Sequence, residues 1–296
     1  MYYSKAKSLA PNRRELATQA MKAACAARSS GGLDQHSPIC IFGLSDSFGI
    51  VVRFNEINME GMYQRGIPPR IHLSSLRPPA RRTFTCAHEL GHHVLGHGSS
   101  IDELREESQG GSWDDPNELL ADSFAGFVLM PVIGLRRSFA ARGLGPESAT
   151  AKELFTIACE FGVGYRTLLT HLSAGVNMLS RERAAILQRH TPKSLRTEIL
   201  GASTTEPLLV ADLNSVSSTI DAEVGMLLLL PAGTMAKGDS LILEQDIAAG
   251  RLFRAVRPGI GQAIANGGDW AVFVRVAPKG YTGLARYRHL EEGPDE

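Results

Sequence analysis

The stretch Arg81-Arg82-Thr83-Phe84-Thr85-Cys86-Ala87-His88-Glu89-Leu90-Gly91-His92-His93 lies inside a helical pattern running from 81 to 97, with Pro78 and Pro79 as an upstream boundary. It contains the spacing HExxH. In a helix, residues four apart lie one above the other, so His88 and His92 present two imidazoles to one point in space. Glu89 sits about 100° around the helix from His88. That is close enough to hold a water beside a metal ion but outside the ligand row, as a general base would be. The apolar residues Phe84, Leu90, Val94 and Leu95 give this helix a core face. Gly91 lowers helix propensity by about 1 kcal/mol relative to alanine, a cost that points to close packing or to function.

A matching carboxylate comes from the next predicted helix, from about 117 to 130, capped by Asp114 or Asp115 before Pro116 and stopped by Pro131. Glu118 stands 26 residues after His92, and Asp122 one turn further along the same face. His88, His92 and Glu118 with an open position for water make the ligand set of a hydrolytic zinc site, with manganese as a substitute ion. His93 is about 140° off the ligand face and His97 about half a turn off. The longer three-histidine motif is excluded, because Gly98 occupies the place of its third histidine. His93 and His97 are therefore expected to be solvated or to stand behind the ligands, with His97 contacting substrate if the helix stops at Gly96. Tyr63, Arg70 and His97 are the candidate oxyanion donors. An exposed sheet edge at 70–73 would capture an extended peptide. The polar, acidic segment 99–116 reads as a loop over the site.

Outward from this centre, 13–27 reads as an opening helix, and 39–42, 49–54 and 70–73 as strands of a small sheet. Helices are expected near 148–160, 164–174 and 180–189. After Gly201 come strand-like runs at 208–210, 226–230, 240–243, 252–256 and 270–276. The fold class is α+β: a metallopeptidase-type domain over 1–145, a helical hairpin over 146–200, and a mainly β domain over 201–296 that senses a ligand or binds a partner, using exposed strands or the tail 281–289. Ala158, Gly162 and Leu168 have helix-turn-helix spacing. Lys152 and Arg166 are cancelled there by Glu153 and Glu160, so DNA binding is not expected.

Lys plus Arg number 31, as do Asp plus Glu, which removes any overall pull toward nucleic acid or acidic membranes. The four cysteines, Cys25, Cys40, Cys86 and Cys159, are scattered and read as buried free thiols. No secretory pattern follows the basic N-terminal residues, and the longest apolar run, 226–230, ends at Pro231, so a soluble cytoplasmic protein is expected.

The helix around His88-Glu89-Leu90-Gly91-His92, followed by Glu118-Leu119-Leu120-Ala121-Asp122-Ser123-Phe124-Ala125 and Leu129-Met130-Pro131, resembles the ImmA/IrrE family of metallopeptidases. The likeness runs from about 10 to 175 and is strongest at these two motifs. It implies a zincin-like domain with His88, His92 and Glu118 as zinc ligands, Glu89 as the catalytic carboxylate, and Asp122 orienting a ligand histidine. It further implies a substrate: a helix-turn-helix transcriptional repressor, cut to release stress-response or mobile-element genes. The competing reading is a DNA-binding or repressor-sequestering regulator whose protease-like core does not cut.

Overall fold

The computed structural model describes residues 12–98, 100–102 and 115–290. Most of the acidic segment read as a covering loop lies outside the described residues. The chain opens with α1 (Arg13–Ser30), capped by Asn12, whose side chain accepts from the backbone N–H of Arg14. Leu16, Ala20, Ala24 and Ala27 form its buried stripe. They pack against α4 (Pro116–Leu129). Arg28 is fully buried at the end of that stripe, and its guanidinium donates to the carbonyls of Asp34, Ser37 and Val128. A buried cation is tolerated there because backbone oxygens take its protons.

The run 39–42, expected as a strand, instead leads into α2 (Ile41–Ser47). Four apolar residues do not distinguish a buried strand from one buried helical turn, and here Ile41 and Leu44 point into the core. The first sheet then forms from β1 (Val51–Asn55), β2 (Gly61–Gln64), β3 (Arg70–Ser74), β4 (Ser100–Asp102) and β13 (Gly283–Leu284), in the order β13-β1-β3-β2-β4. β3 is central, paired in parallel with β1 and antiparallel with β2. The expected open edge at 70–73 is thus filled on both sides. Gly61 and Tyr63 of β2, and Ile71 and Leu73 of β3, share the buried face. Across that face lies α3 (Pro79–Val94), so close that a Cβ at Gly61 would stand 2.5 Å from Thr85 Cγ2.

α3 and α4 pack against each other through Gly91, where an added Cβ would meet Phe124 at 3.1 Å and the Ala121 Cα at 3.2 Å. The glycine therefore serves close helix approach. Asp115 caps α4 by accepting from Asn117 N at 2.9 Å, with Pro116 in the first turn. Pro131 ends α4 and caps a further helix, α5 (Val132–Ala141), which the sequence reading lacked.

The corner between α6 (Ala151–Glu160) and α7 (Tyr165–Thr170) turns at Gly162, with φ of 64°. Ala158 and Leu168 are buried in the main core, so the helix-turn-helix spacing serves a packed hairpin. α7 continues into a π-helical turn, His171–Gly175. Two more helices, α8 (Arg181–Leu187) and α9 (Pro192–Leu200), precede the strands.

The C-terminal strands make two four-stranded sheets. One holds β5 (Leu208–Val210), β7 (Leu227–Leu230), β9 (Leu241–Ile247) and β10 (Gly250–Ala255). The other holds β6 (Thr219–Glu223), β8 (Met235–Lys237), β11 (Gly259–Ile264) and β12 (Ala271–Ala277). β7 is apolar at every position because both its faces are covered. Leu228 and Leu230 join a second core with Phe253, Val272, Val274 and Val276, while Leu227 and Leu229 join the first. Arg142 grips Asp212 across the junction with two bonds of 2.7 Å.

The segment 281–289 folds back onto the first sheet. β13 pairs with β1, and Ala285, Arg288 and His289 are buried. Of the cysteines, Cys86 is buried and Cys40 and Cys159 half-buried, but Cys25 is exposed, contrary to expectation; all four are free thiols. Among the described residues no single helix is long and apolar enough to cross a membrane.

Candidate metal centre

The last turns of α3 and the first turn of α4 bring three side chains to one point. His88 Nε2 and His92 Nε2 are 3.0 Å apart. Glu118 lies against both, with Oε2 3.3 Å from His88 Nε2 and Oε1 3.6 Å from His92 Nε2. One ligand atom from each of the three falls within 4.8 Å of the others. The histidines are buried and Glu118 nearly so.

Each imidazole is oriented from behind. His88 Nδ1 lies 2.8 Å from Asp122 Oδ1. A carboxylate only accepts, so Nδ1 carries the proton and Nε2 turns its lone pair toward the centre. His92 Nδ1 lies 2.9 Å from His97 Nδ1, and donation from His92 leaves its Nε2 in the same state. Burial, reinforced by the nearby His88 and opposed by Glu118, pushes the His92 pKa down to about 4. His92 is then neutral near pH 7, as a metal ligand must be. Two converging lone pairs beside a carboxylate fit a divalent cation with nitrogen and oxygen donors.

The position of His97 follows from how α3 ends. Gly96 adopts φ of 75°, Gly96 N–H donates to His93 O at 3.2 Å, and His97 N–H donates to His92 O at 2.9 Å. This is the Schellman pattern, and it folds the chain back so that the His97 ring meets the His92 ring, centroids 5.0 Å apart. The half-turn offset of a continuous helix does not apply, and the half-buried His97 ring lies behind His92.

Glu89 is fully buried beside His88. The other two oxyanion candidates sit elsewhere. Tyr63 is buried and its hydroxyl meets His93 Nδ1 at 2.8 Å. Arg70 is exposed at the start of β3, on the sheet face opposite Ile71 and Leu73 and so away from α3. His93 also stacks edge-on against Phe48, and burial lowers its pKa. Cys86, on the buried side of α3, has its thiol pushed up to about 12 by burial and takes no part as a nucleophile.

Residues 45–173 match the family described as the IrrE N-terminal-like domain, Peptidase_M78. This stretch is similar to the metallopeptidase domain of the ImmA/IrrE family. The matched span holds α3, α4 and every residue of the centre, and it closes inside the π-helical turn. α1 and the C-terminal strands lie outside it, so the likeness begins later than the expected residue 10. Among solved structures, a Mycobacterium tuberculosis transcriptional regulator aligns with 17% identity and a TM-score of 0.33, over 54% of this chain and 46% of its own. A comparison with curated proteins gives no match.

Proposed function

We propose that the protein is a zinc-dependent endopeptidase that cuts a helix-turn-helix transcriptional repressor. The observation that carries the peptidase reading is the convergence of His88 Nε2, His92 Nε2 and Glu118 on one point, with a buried carboxylate, Glu89, on the adjoining helix position. Two imidazoles and one carboxylate favour zinc, and manganese is the substitute to test. Bound there, the ion would supply Lewis acidity to polarise a peptide carbonyl and acidify a water.

The protein's own groups do the rest. Glu89 accepts the proton from the attacking water and returns it to the departing amine nitrogen. Asp122 and His97 hold the two imidazoles in the tautomer that faces the centre. Among the described residues β4 is an edge strand of the first sheet, beside β2 and so on the side of β3 away from β13, and its outer edge is the one we assign to an extended peptide. The repressor as substrate rests on the resemblance to the ImmA/IrrE family, and a cytoplasmic setting follows from such a substrate.

Co-expression with candidate helix-turn-helix proteins, followed by mass measurement of fragments, tests the proposal. Glu89→Gln is expected to retain metal while cleavage falls by a factor of about 100 or more. Glu118→Ala is expected to lose both. Cleavage by Glu89→Gln at the wild-type rate would overturn the mechanism.

A further inference from the structure

The return of residues 283–289 to the first sheet borders a cavity of about 180 Å³, lined among others by Cys40, Asp46, Arg275, Arg286, Arg288 and His289. Three guanidiniums and one carboxylate face it. Arg275 binds Asp221 with bonds of 2.7 and 2.8 Å, and Arg288 reaches the same carboxylate at 3.0 Å. Asp221 itself lines a neighbouring cavity instead. One carboxylate shared by two guanidiniums leaves a positive excess on the near side. Arg286, which lines the cavity and is half exposed, pairs with Asp46 at 2.7 Å through Nη2, which leaves further N–H donors on its guanidinium for another acceptor.

His289 supplies the second observation. It is 8% exposed and its Nε2 stands 3.4 Å from Asp221 Oδ1, yet neither ring nitrogen makes a hydrogen bond within the protein. Buried polar atoms without a partner are uncommon, and one beside three arginines fits a position completed by an acceptor. The volume equals about six waters at roughly 30 Å³ each. It is smaller than the roughly 300–1,000 Å³ of sites for drug-sized ligands.

We propose that this cavity binds a small oxyanion, a phosphate or a short carboxylate, through Arg286, Arg288 and Arg275 with His289 at its inner wall. The site is independent of the metal centre and of peptidase activity. Its occupant would tie the turn at 285–288 to α2, which packs against α3.

Calorimetric titration of the full, metal-loaded protein with inorganic phosphate, and separately with malonate, tests this at ionic strength held constant with chloride. One saturable site per chain is expected, and the tighter probe identifies the anion class. Arg286→Gln should weaken binding by about tenfold or more, the loss of a charge-assisted contact, without lowering the melting temperature in chloride. Asp46→Asn, which frees Arg286 from its competing carboxylate, should tighten it. The proposal fails if neither probe saturates. It fails equally if both variants bind as wild type does, or if binding vanishes with the metal and so belongs to the metal centre.

Discussion

At the scale of single residues, the centre depends on groups that never touch the metal position. His97 is the clearest case, because its ring holds His92 from behind at 2.9 Å and owes that position to the chain reversal at Gly96. Partners of this kind are worth about 10–100-fold in metal affinity. His97→Ala is therefore expected to weaken metal binding by about tenfold or more in a chelator competition, and His97→Gln, which keeps an acceptor, to recover part of the loss. Equal affinity in His97→Ala and wild type would remove the orienting role. The HExxH spacing was legible in the sequence because both ligands lie on one helix. The contact of His97 was not, because it depends on where that helix stops.

The arrangement of elements rests on glycines that let helices approach. Gly126 on α4 and Gly175 in the π-helical turn enclose the His171 ring, and a Cβ at either would stand 2.6 or 2.5 Å from His171 Nδ1. The ring cannot swing aside freely, since Nε2 bonds Met130 O at 3.0 Å and Phe127 packs edge-on against it. Gly126→Ala is expected to destabilise the fold by about 1–3 kcal/mol, the ordinary cost of overpacking, despite its gain in helix propensity. Urea denaturation measures it, and a stabilised variant would show that the clamp yields. No periodicity marks this cluster, because it joins Gly126 and Met130, at the end of α4, to His171 and Gly175 of the π-helical turn, and Met130 and His171 stand 41 residues apart.

For the molecule as a whole, buried neutral histidines set the response to acid. Burial pushes His171 down to about 4, against the bond to the Met130 carbonyl. Burial and Arg288 push His289 down to about 3. The unfolded chain protonates its histidines near pH 6.5. Between about 6.5 and 4 it therefore binds protons that the folded state refuses, and stability falls as the pH falls through that window. His171 alone contributes up to about 3 kcal/mol of this loss. The urea midpoint of metal-free protein should drop across that range, and His171→Asn should flatten the slope by about one proton. An unchanged slope would mean that His171 titrates normally in the folded state. The same scale holds the junction between the two cores, where the buried Arg82 near the start of α3 pairs with Glu223 of β6.

The sequence by itself determined the features carried by neighbours in the chain. These include the facing pair His88 and His92, the cap and proline that start α4, the second row formed by Glu118 and Asp122, and the continuous apolar run of β7 that announces a strand covered on both faces. Each is a matter of helical or strand period and of local hydrogen bonding, both written into a few consecutive residues. Only the tertiary structure decided that Gly91 brings α4 against α3, that β3 is central rather than an edge, that Arg70 faces away, and that β13 returns to β1. Those outcomes are chosen by burial and pairing summed over segments far apart in the chain, and no local pattern encodes which distant segment will supply the covering face.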